Sequence, residues 1–322
     1  MAYGRRKYGG SRGRKPIRRF VRRYRSTVKT RVSRKRTYRK PMTRKRMLNA
    51  TSRKKRDTMT TYSNTSSSGA STTPAQQPLV INASPSTSNF PGVVTGAQGL
   101  VLFTPTARTL IQFGGGSGTV VQESMRTATT CYMRGLSENI RIQTSTALPW
   151  LWRRICFASK DVSFRTYQAA DTPGTTILGG VETSSGYQRA AINQSVNGSG
   201  NTQNQIFSIL FKGAQGIDWT DVILAPVDTR RVDLKSDKTT RMFSGNQDGA
   251  MRESKLWHPM NKNITYADDE SGEVETSSAY SVNDKRGMGD FHVLDIFACG
   301  LGGSATDQLA VQYNSSLYWH EK

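Results

Sequence analysis

Acidic residues are missing from the first 56 positions of the chain; the first is Asp57. Cysteine is scarce too. Cys131, Cys156 and Cys299 are odd in number, far apart and flanked by apolar residues, which excludes a disulfide framework and predicts buried free thiols in a reducing compartment. Sequon-like triplets such as Asn193-Gln194-Ser195 and Asn314-Ser315-Ser316 are then expected to stay unmodified. No apolar run reaches the length of about eighteen residues that a membrane-spanning helix needs. The basic start has no apolar segment behind it, so a secretory leader is not expected.

Catalytic and metal-binding chemistry is equally thin. None of His258, His292 and His320 has a second His or Cys at ligand spacing, so neither a zinc site nor any other cofactor is expected. Gly114-Gly115-Gly116-Ser117-Gly118 lacks the Gly-Lys-Ser/Thr ending of a phosphate loop and reads as a turn. Asp218-Trp219-Thr220-Asp221 reads as a polar turn around a buried Trp. The run Asp268-Asp269-Glu270-Ser271-Gly272-Glu273-Val274-Glu275 holds five carboxylates, the best cation candidate, but its spacing is not that of an EF-hand. An exposed loop between strands is the expectation there, and no enzyme activity is expected of the chain.

What the chain does have is cation. Residues 5–56 carry 25 of the 46 Lys and Arg, leaving 46 − 25 = 21 basic against 23 acidic residues, or −2, for the rest. A near-neutral body with such a tail is built to recruit a polyanion. Arg5, Arg6, Lys7, Arg12, Arg14, Lys15, Arg18, Arg19, Arg22, Arg23, Arg25, Arg34, Lys35 and Arg36 are the candidate phosphate contacts. Phe20, Tyr24 and Tyr38 among them offer faces on which unpaired bases stack, which points to a single strand. Arg44-Lys45-Arg46 and Arg53-Lys54-Lys55-Arg56 resemble a nuclear-localisation signal, so import receptors are expected partners. A membrane surface is the rival anion.

Residues 57–98 are rich in Ser, Thr, Asn and Gly, then Pro, and read as a linker too poor in apolar surface to repay its ordering. The folded domain is then 99–322. Strand patterns occur at 100–103, 109–113, 129–144, 150–157, 162–167, 222–227, 231–234, 241–243, 255–266, 291–299 and 309–319. The alternation at 129–144 is kinked at Gly135, and 150–157 reads as a central strand. Residues 168–204 read as long loops, and 206–211 fits either helix or strand. With no sustained helical period in the body, the fold class is an all-β sandwich with long loops behind a disordered basic arm.

Several stretches resemble the coat proteins of small circular single-stranded DNA viruses. Asp233 to Thr239 before Arg241-Met242-Phe243, then Lys255-Leu256-Trp257-His258-Pro259-Met260-Asn261-Lys262-Asn263-Ile264-Thr265-Tyr266, resemble consecutive geminivirus strands. Phe291 to Cys299 and Leu309 to Trp319 resemble the last two. Gly213 to Trp219, Val227-Asp228-Thr229-Arg230-Arg231-Val232 and the opening Met1-Ala2-Tyr3-Gly4-Arg5-Arg6 are closer to the genomovirus (gemycircularvirus) group. The resemblance implies a single jelly roll that self-assembles into an icosahedral shell. It also implies an inward arm on packaged circular single-stranded DNA, passage through the host nucleus and residence in a virion. The cysteine-rich zinc pattern of some geminivirus arms is missing, since no Cys precedes Cys131. The alternatives are a cellular nucleic-acid packaging or ribosome-associated protein that forms no shell, and a hydrolase with a basic targeting tail.

Within the arm, Ile17, Phe20, Val21, Tyr24, Val28 and Val32 follow Pro16 at helical spacing, on a stripe roughly 120° wide. Like charges on the other faces oppose a helix in the free chain, and phosphate removes that opposition. A peptide of residues 14–34 is expected to gain helical circular dichroism when saturated with a single-stranded oligonucleotide. Phe20→Ser with Tyr24→Ser should blunt the gain; an equal gain in that variant would mean the stripe is idle.

Overall fold

A computed structural model of the chain describes residues 42–83 and 99–322. The arm up to residue 41, with its stripe and its candidate contacts from Arg5 to Tyr38, and the linker stretch 84–98 lie outside the described residues. So do the side chains of Arg44 and Lys45.

In chain order the elements are α1 (Arg44–Thr51), β1 (Arg53–Thr65), β2 (Ser71–Ala75), β3 (Leu79–Asn82), β4 (Gly99–Phe103), β5 (Thr130–Thr144), β6 (Trp150–Ser159), β7 (Val181–Thr183) and β8 (Gly186–Ala191). Then follow α2 (Gly200–Leu210), β9 (Asp233–Met242), β10 (Met251–Thr265), β11 (Asp269–Ser271), β12 (Val274–Thr276), β13 (Asp290–Cys299) and β14 (Gln308–Glu321). The larger sheet runs β10-β5-β14-β1-β8-β7, with β2 on β1 and β3 on β14; the smaller runs β4-β13-β6-β9. The chain crosses between the sheets at nearly every long strand, and the long-strand pairs are antiparallel. The protein is an all-β sandwich.

The burial pattern of each strand follows from what covers it. β5 alternates, with Met133, Leu136, Ile140 and Ile142 inward and Arg134, Asn139 and Arg141 outward, so its far face is free. β6 and β13 are buried almost throughout, because a second layer covers the back of the smaller sheet. That layer is α2, whose Ile206, Phe207 and Leu210 pack with Phe211, Trp219 and Val222 against Ile155, Phe157, Leu294 and Ile296. The helix repeats its buried side at Thr202, Gln203, Ile206, Phe207 and Leu210, the helical period. Asp171 accepts from the backbone amides of Asn201 and Thr202 at its start. The run 206–211, open between helix and strand in sequence, thus belongs to α2 and its end.

Three strand expectations fail locally. Residues 109–113 make only the Ile111–Ser117 bridge around the glycine turn. Residues 162–164 form a 3-10 turn, with Asp161 accepting from the Ser163 amide. At 222–227, Asp221 captures the amides of Ile223, Leu224 and Ala225 and turns the chain under α2.

The largest correction concerns the boundary between arm, linker and domain. The sandwich begins at Arg53, not at 99, and residues 57–82, expected as linker, contribute most of β1 and all of β2 and β3. β1 is a central strand, antiparallel to β14 from Arg53↔Glu321 to Thr60↔Asn314 and parallel to β8 at 61–63. Its hydroxyls take the place of apolar packing: Thr61 Oγ1 donates to the Tyr313 carbonyl at 2.9 Å and accepts its amide at 2.7 Å. Threonine is at home in a strand, and here the partner strands supply the order that composition does not.

Candidate nucleic-acid interface and the buried charge network

The structure separates the basic residues by role. In Arg53-Lys54-Lys55-Arg56, alternation turns Lys55 inward, where its Nζ donates to the Met125 carbonyl at 2.6 Å and lies 3.3 Å from Glu321. Lys54 and Arg56 point out, and Arg53 is exposed at the strand's start. As a localisation peptide the four residues are therefore not available together; Lys55 is a buried structural cation. Arg46 lies exposed on α1.

Arg153 and Arg154, consecutive in β6, reach opposite layers. Arg153 pairs with Asp237 at 2.6 Å and donates to the Val222 carbonyl at 2.6 Å. Arg154 enters the sandwich core and forks onto Asp295, with both bonds at 2.7 Å, while its Nη1 reaches Glu138 at 2.5 Å. Arg189 from β8 completes the set, 3.0 Å from Asp295 and 3.3 Å from Glu138. The rings of Tyr313 and Phe103 lie 4.0 and 4.2 Å from its guanidinium carbon. Ser315, Trp152 and Tyr313 donate to the remaining carboxylate lone pairs. Two cations and two anions thus tie β5, β6, β8, β13 and β14 across both sheets. No sequence motif marks them, because the partners lie on different strands, 16 to 141 residues apart.

Burial alone would raise the Glu138 carboxyl, but the Arg154 and Arg189 guanidiniums with His258 outweigh it and hold it well below its usual value. Asp295 is held low in the same way by Arg154 and Arg189 against its burial. His258 sits beside the network. Its Nε2 is 3.5 Å from Glu138, too long for a good hydrogen bond, so the contact is charge attraction. Burial would lower it, yet Cys156 and Glu138 push it up to about 9. Cys156 Sγ is 3.6 Å from His258 Nδ1, which completes a thiol–imidazole–carboxylate row. Cys156 has no exposed surface, so a substrate has no approach to the sulfur in this fold. All three cysteines are buried and free.

His292 behaves oppositely. It is fully buried, its Nδ1 is 2.9 Å from Thr104 Oγ1, and burial with nearby Arg165 pushes it down to about 3. The two histidines set a pH window around their ordinary value of 6.5. The stability from charged His258 is complete below 6.5 and is lost as the pH rises through about 9. That from neutral His292 is complete above 6.5 and erodes as the pH falls towards 3. Stability is expected to peak near pH 6.5, each limb sloping by up to about 1.4 kcal/mol per pH unit. In urea midpoints across this range, His258→Gln should flatten the alkaline limb and His292→Gln the acid one. An unchanged alkaline limb in His258→Gln would show that Glu138 does not hold that charge.

The acidic run is divided as well. The side chain of Asp268 is buried and grips Arg126 through two bonds of 2.6 and 2.9 Å, with Tyr266 beneath the guanidinium. Asp269, Glu270, Glu273 and Glu275 stand exposed on the β11–β12 hairpin. Among the described residues no group of three or more His, Cys, Asp or Glu is placed to hold a metal ion. Asp218 accepts from the Ala214 amide and Asp221 from Ile223, around a buried Trp219. No described helix is long and apolar enough to cross a membrane. In comparison with known proteins, no family model matches the chain and no curated protein matches it.

Proposed function

We propose that this chain is a structural, non-enzymatic coat protein that assembles into an icosahedral shell and packages circular single-stranded DNA through its basic arm. The observation that carries the reading is the charge partition at the boundary of the sandwich. Residues 1–52 hold 25 − 4 = 21 basic residues and no acid, while the sandwich from Arg53 on holds 46 − 21 = 25 basic against 23 acidic, or +2. A near-neutral wall lets copies approach, and the cationic leader supplies counterion release on a polyanion.

Two features support the shell. Four strands in each sheet, ordered β10-β5-β14-β1 and β4-β13-β6-β9, are the arrangement expected of a jelly roll. Phe113, Val120 and Val121 stand exposed between β4 and β5, apolar surface of the kind a neighbouring subunit covers. Passage through the host nucleus would rest on the basic stretch ahead of β1, since Lys55 is locked in the fold. The test is protection: circular single-stranded DNA mixed with the full chain should become resistant to nuclease once protein is in excess. DNA that is bound but fully digestible would favour a cellular packaging protein without a shell.

A further inference from the structure

The arm is not the only surface suited to a single strand. Among the described residues nothing covers the outer face of the larger sheet along β10, β5, β14 and β1, and its outward residues include cations and aromatics among neutral polar side chains. Lys54 and Arg56 of β1, Arg134 of β5 and Lys255 of β10 are exposed there, with no carboxylate partner among the described residues. Glu253 is the sole outward carboxylate on these strands, and Arg141 takes it at 2.7 Å.

The aromatics sit between the cations. Trp257 is 51% exposed, whereas Trp150, Trp152, Trp219 and Trp319 are buried. Its six-membered ring lies across Gly135, where a Cβ would come within 2.7 Å of it. The missing side chain at that position lets the indole rest against the strand beneath. Trp257 meets Tyr318 with ring centroids 5.8 Å apart, and Arg56 lies 5.4 Å from the Tyr318 ring. Tyr132 and His320 form a second pair, centroids 6.0 Å apart, and Arg134 and Lys54 lie close enough to help lower His320 below burial's own effect.

Along the same strands the face continues into a groove of about 460 Å³. Asn139, Lys255, Gln312, Asn314 and the Arg141–Glu253 pair floor it, and Gln76–Pro78 forms a wall. Tyr318 and Asn314 are four residues apart in β14, so platform and groove together run about 13 Å along the strand.

We infer that this face is a second binding site for single-stranded DNA, with Trp257 and Tyr318 stacking bases and the polar groove holding the adjoining sugar-phosphate. A duplex hides its base faces, so a platform of half-exposed rings ringed by cations selects an unpaired strand. Lys54 and Arg56 of β1 are among the last cations of the basic run in sequence, and they stand exposed on this face. The inference rests on the nucleic-acid reading above and gives it a site on the folded body.

The test uses the full chain and an oligothymidylate. At about 0.5 M salt the arm's counterion term is suppressed and stacking survives. Under those conditions the oligonucleotide should quench the acrylamide-accessible tryptophan emission, which belongs to Trp257. Trp257→Leu with Tyr318→Leu should weaken binding about tenfold at high salt, with the slope of affinity against salt unchanged. Ultraviolet crosslinking of the unaltered protein should map to peptides carrying Trp257 or Tyr318, a result independent of how the variant folds. Binding with crosslinks confined to the arm, and no quenching, would overturn this site and leave the arm's role standing. No binding at low salt would overturn both.

Discussion

Deleting residues 1–44 is expected to lower affinity for single-stranded DNA at about 0.1 M salt by at least a thousandfold and leave the melting temperature unchanged. Deleting residues 1–56 is expected to unfold the chain. The first cut removes 19 Lys and Arg and no acid, while every strand of the sandwich starts at Arg53 or later. The second removes the start of β1, with its pairing from Arg53↔Glu321 to Arg56↔Tyr318. It also takes Lys55 from Glu321, whose carboxylate would keep only neutral donors, from Thr127, Cys131 and Trp319. Stranding a buried charge costs about 3–5 kcal/mol, and the lost ladder adds to that, against a total stability of about 5–15 kcal/mol. Binding isotherms and thermal melts of the two truncations decide it. A 57–322 protein that melts like the full chain would contradict the placement of β1 at the centre of the sheet.

Glu138→Gln is expected to cost about 3–5 kcal/mol, because it leaves Arg154 and Arg189 buried with Asp295 as their one remaining carboxylate. For a domain of this size that lowers the melting temperature by roughly 6–20 °C. Glu253→Gln, which breaks the exposed Arg141 pair, is expected to cost under about 1 kcal/mol. The contrast separates burial from mere ion pairing, since both changes remove one carboxylate facing one or more arginines. A double-mutant cycle of Glu138→Gln with Arg189→Met should recover part of the loss, because the second change removes the stranded cation. If Glu138→Gln is as mild as Glu253→Gln, the network is not what joins the two sheets.

How much of this was legible in the sequence depends on where each residue's partner lies. β6 and β13 showed themselves as apolar-rich runs without alternation, because both of their faces are covered, and the polar residues within them, Arg153, Arg154, His292 and Asp295, are buried as well. β5 showed its alternation because one face is free, and Gly135 was readable as a singular point in it. β1 was hidden: Thr58-Met59-Thr60-Thr61-Tyr62-Ser63-Asn64-Thr65 has the composition of a linker, and only pairing with β14 and β8 makes it a strand. α2 was half visible, since its apolar residues crowd its last turn while Thr202 and Gln203 carry the buried side earlier.

The charges divide the same way. An acid-free run is visible without any structure, and its meaning does not depend on a partner in the fold. Lys55 looked like part of that surface charge until Glu321 was placed beside it, and nothing in the run 150–157 showed that Arg153 and Arg154 pair with Asp237, Glu138 and Asp295. Asp268 likewise left the acidic run when Arg126 reached it. The outward platform around Trp257 escaped notice because its members come from four strands, and a lone Trp in a strand pattern reads as core.

Negative-stain microscopy of the full chain, with and without circular single-stranded DNA, bears most directly on the claim of a DNA-packaging shell. The account predicts closed particles of uniform diameter when DNA is present, and none from a chain lacking residues 1–44 under the same conditions. Protein that coats the DNA as open, irregular complexes at every ratio, without closed particles, would contradict it.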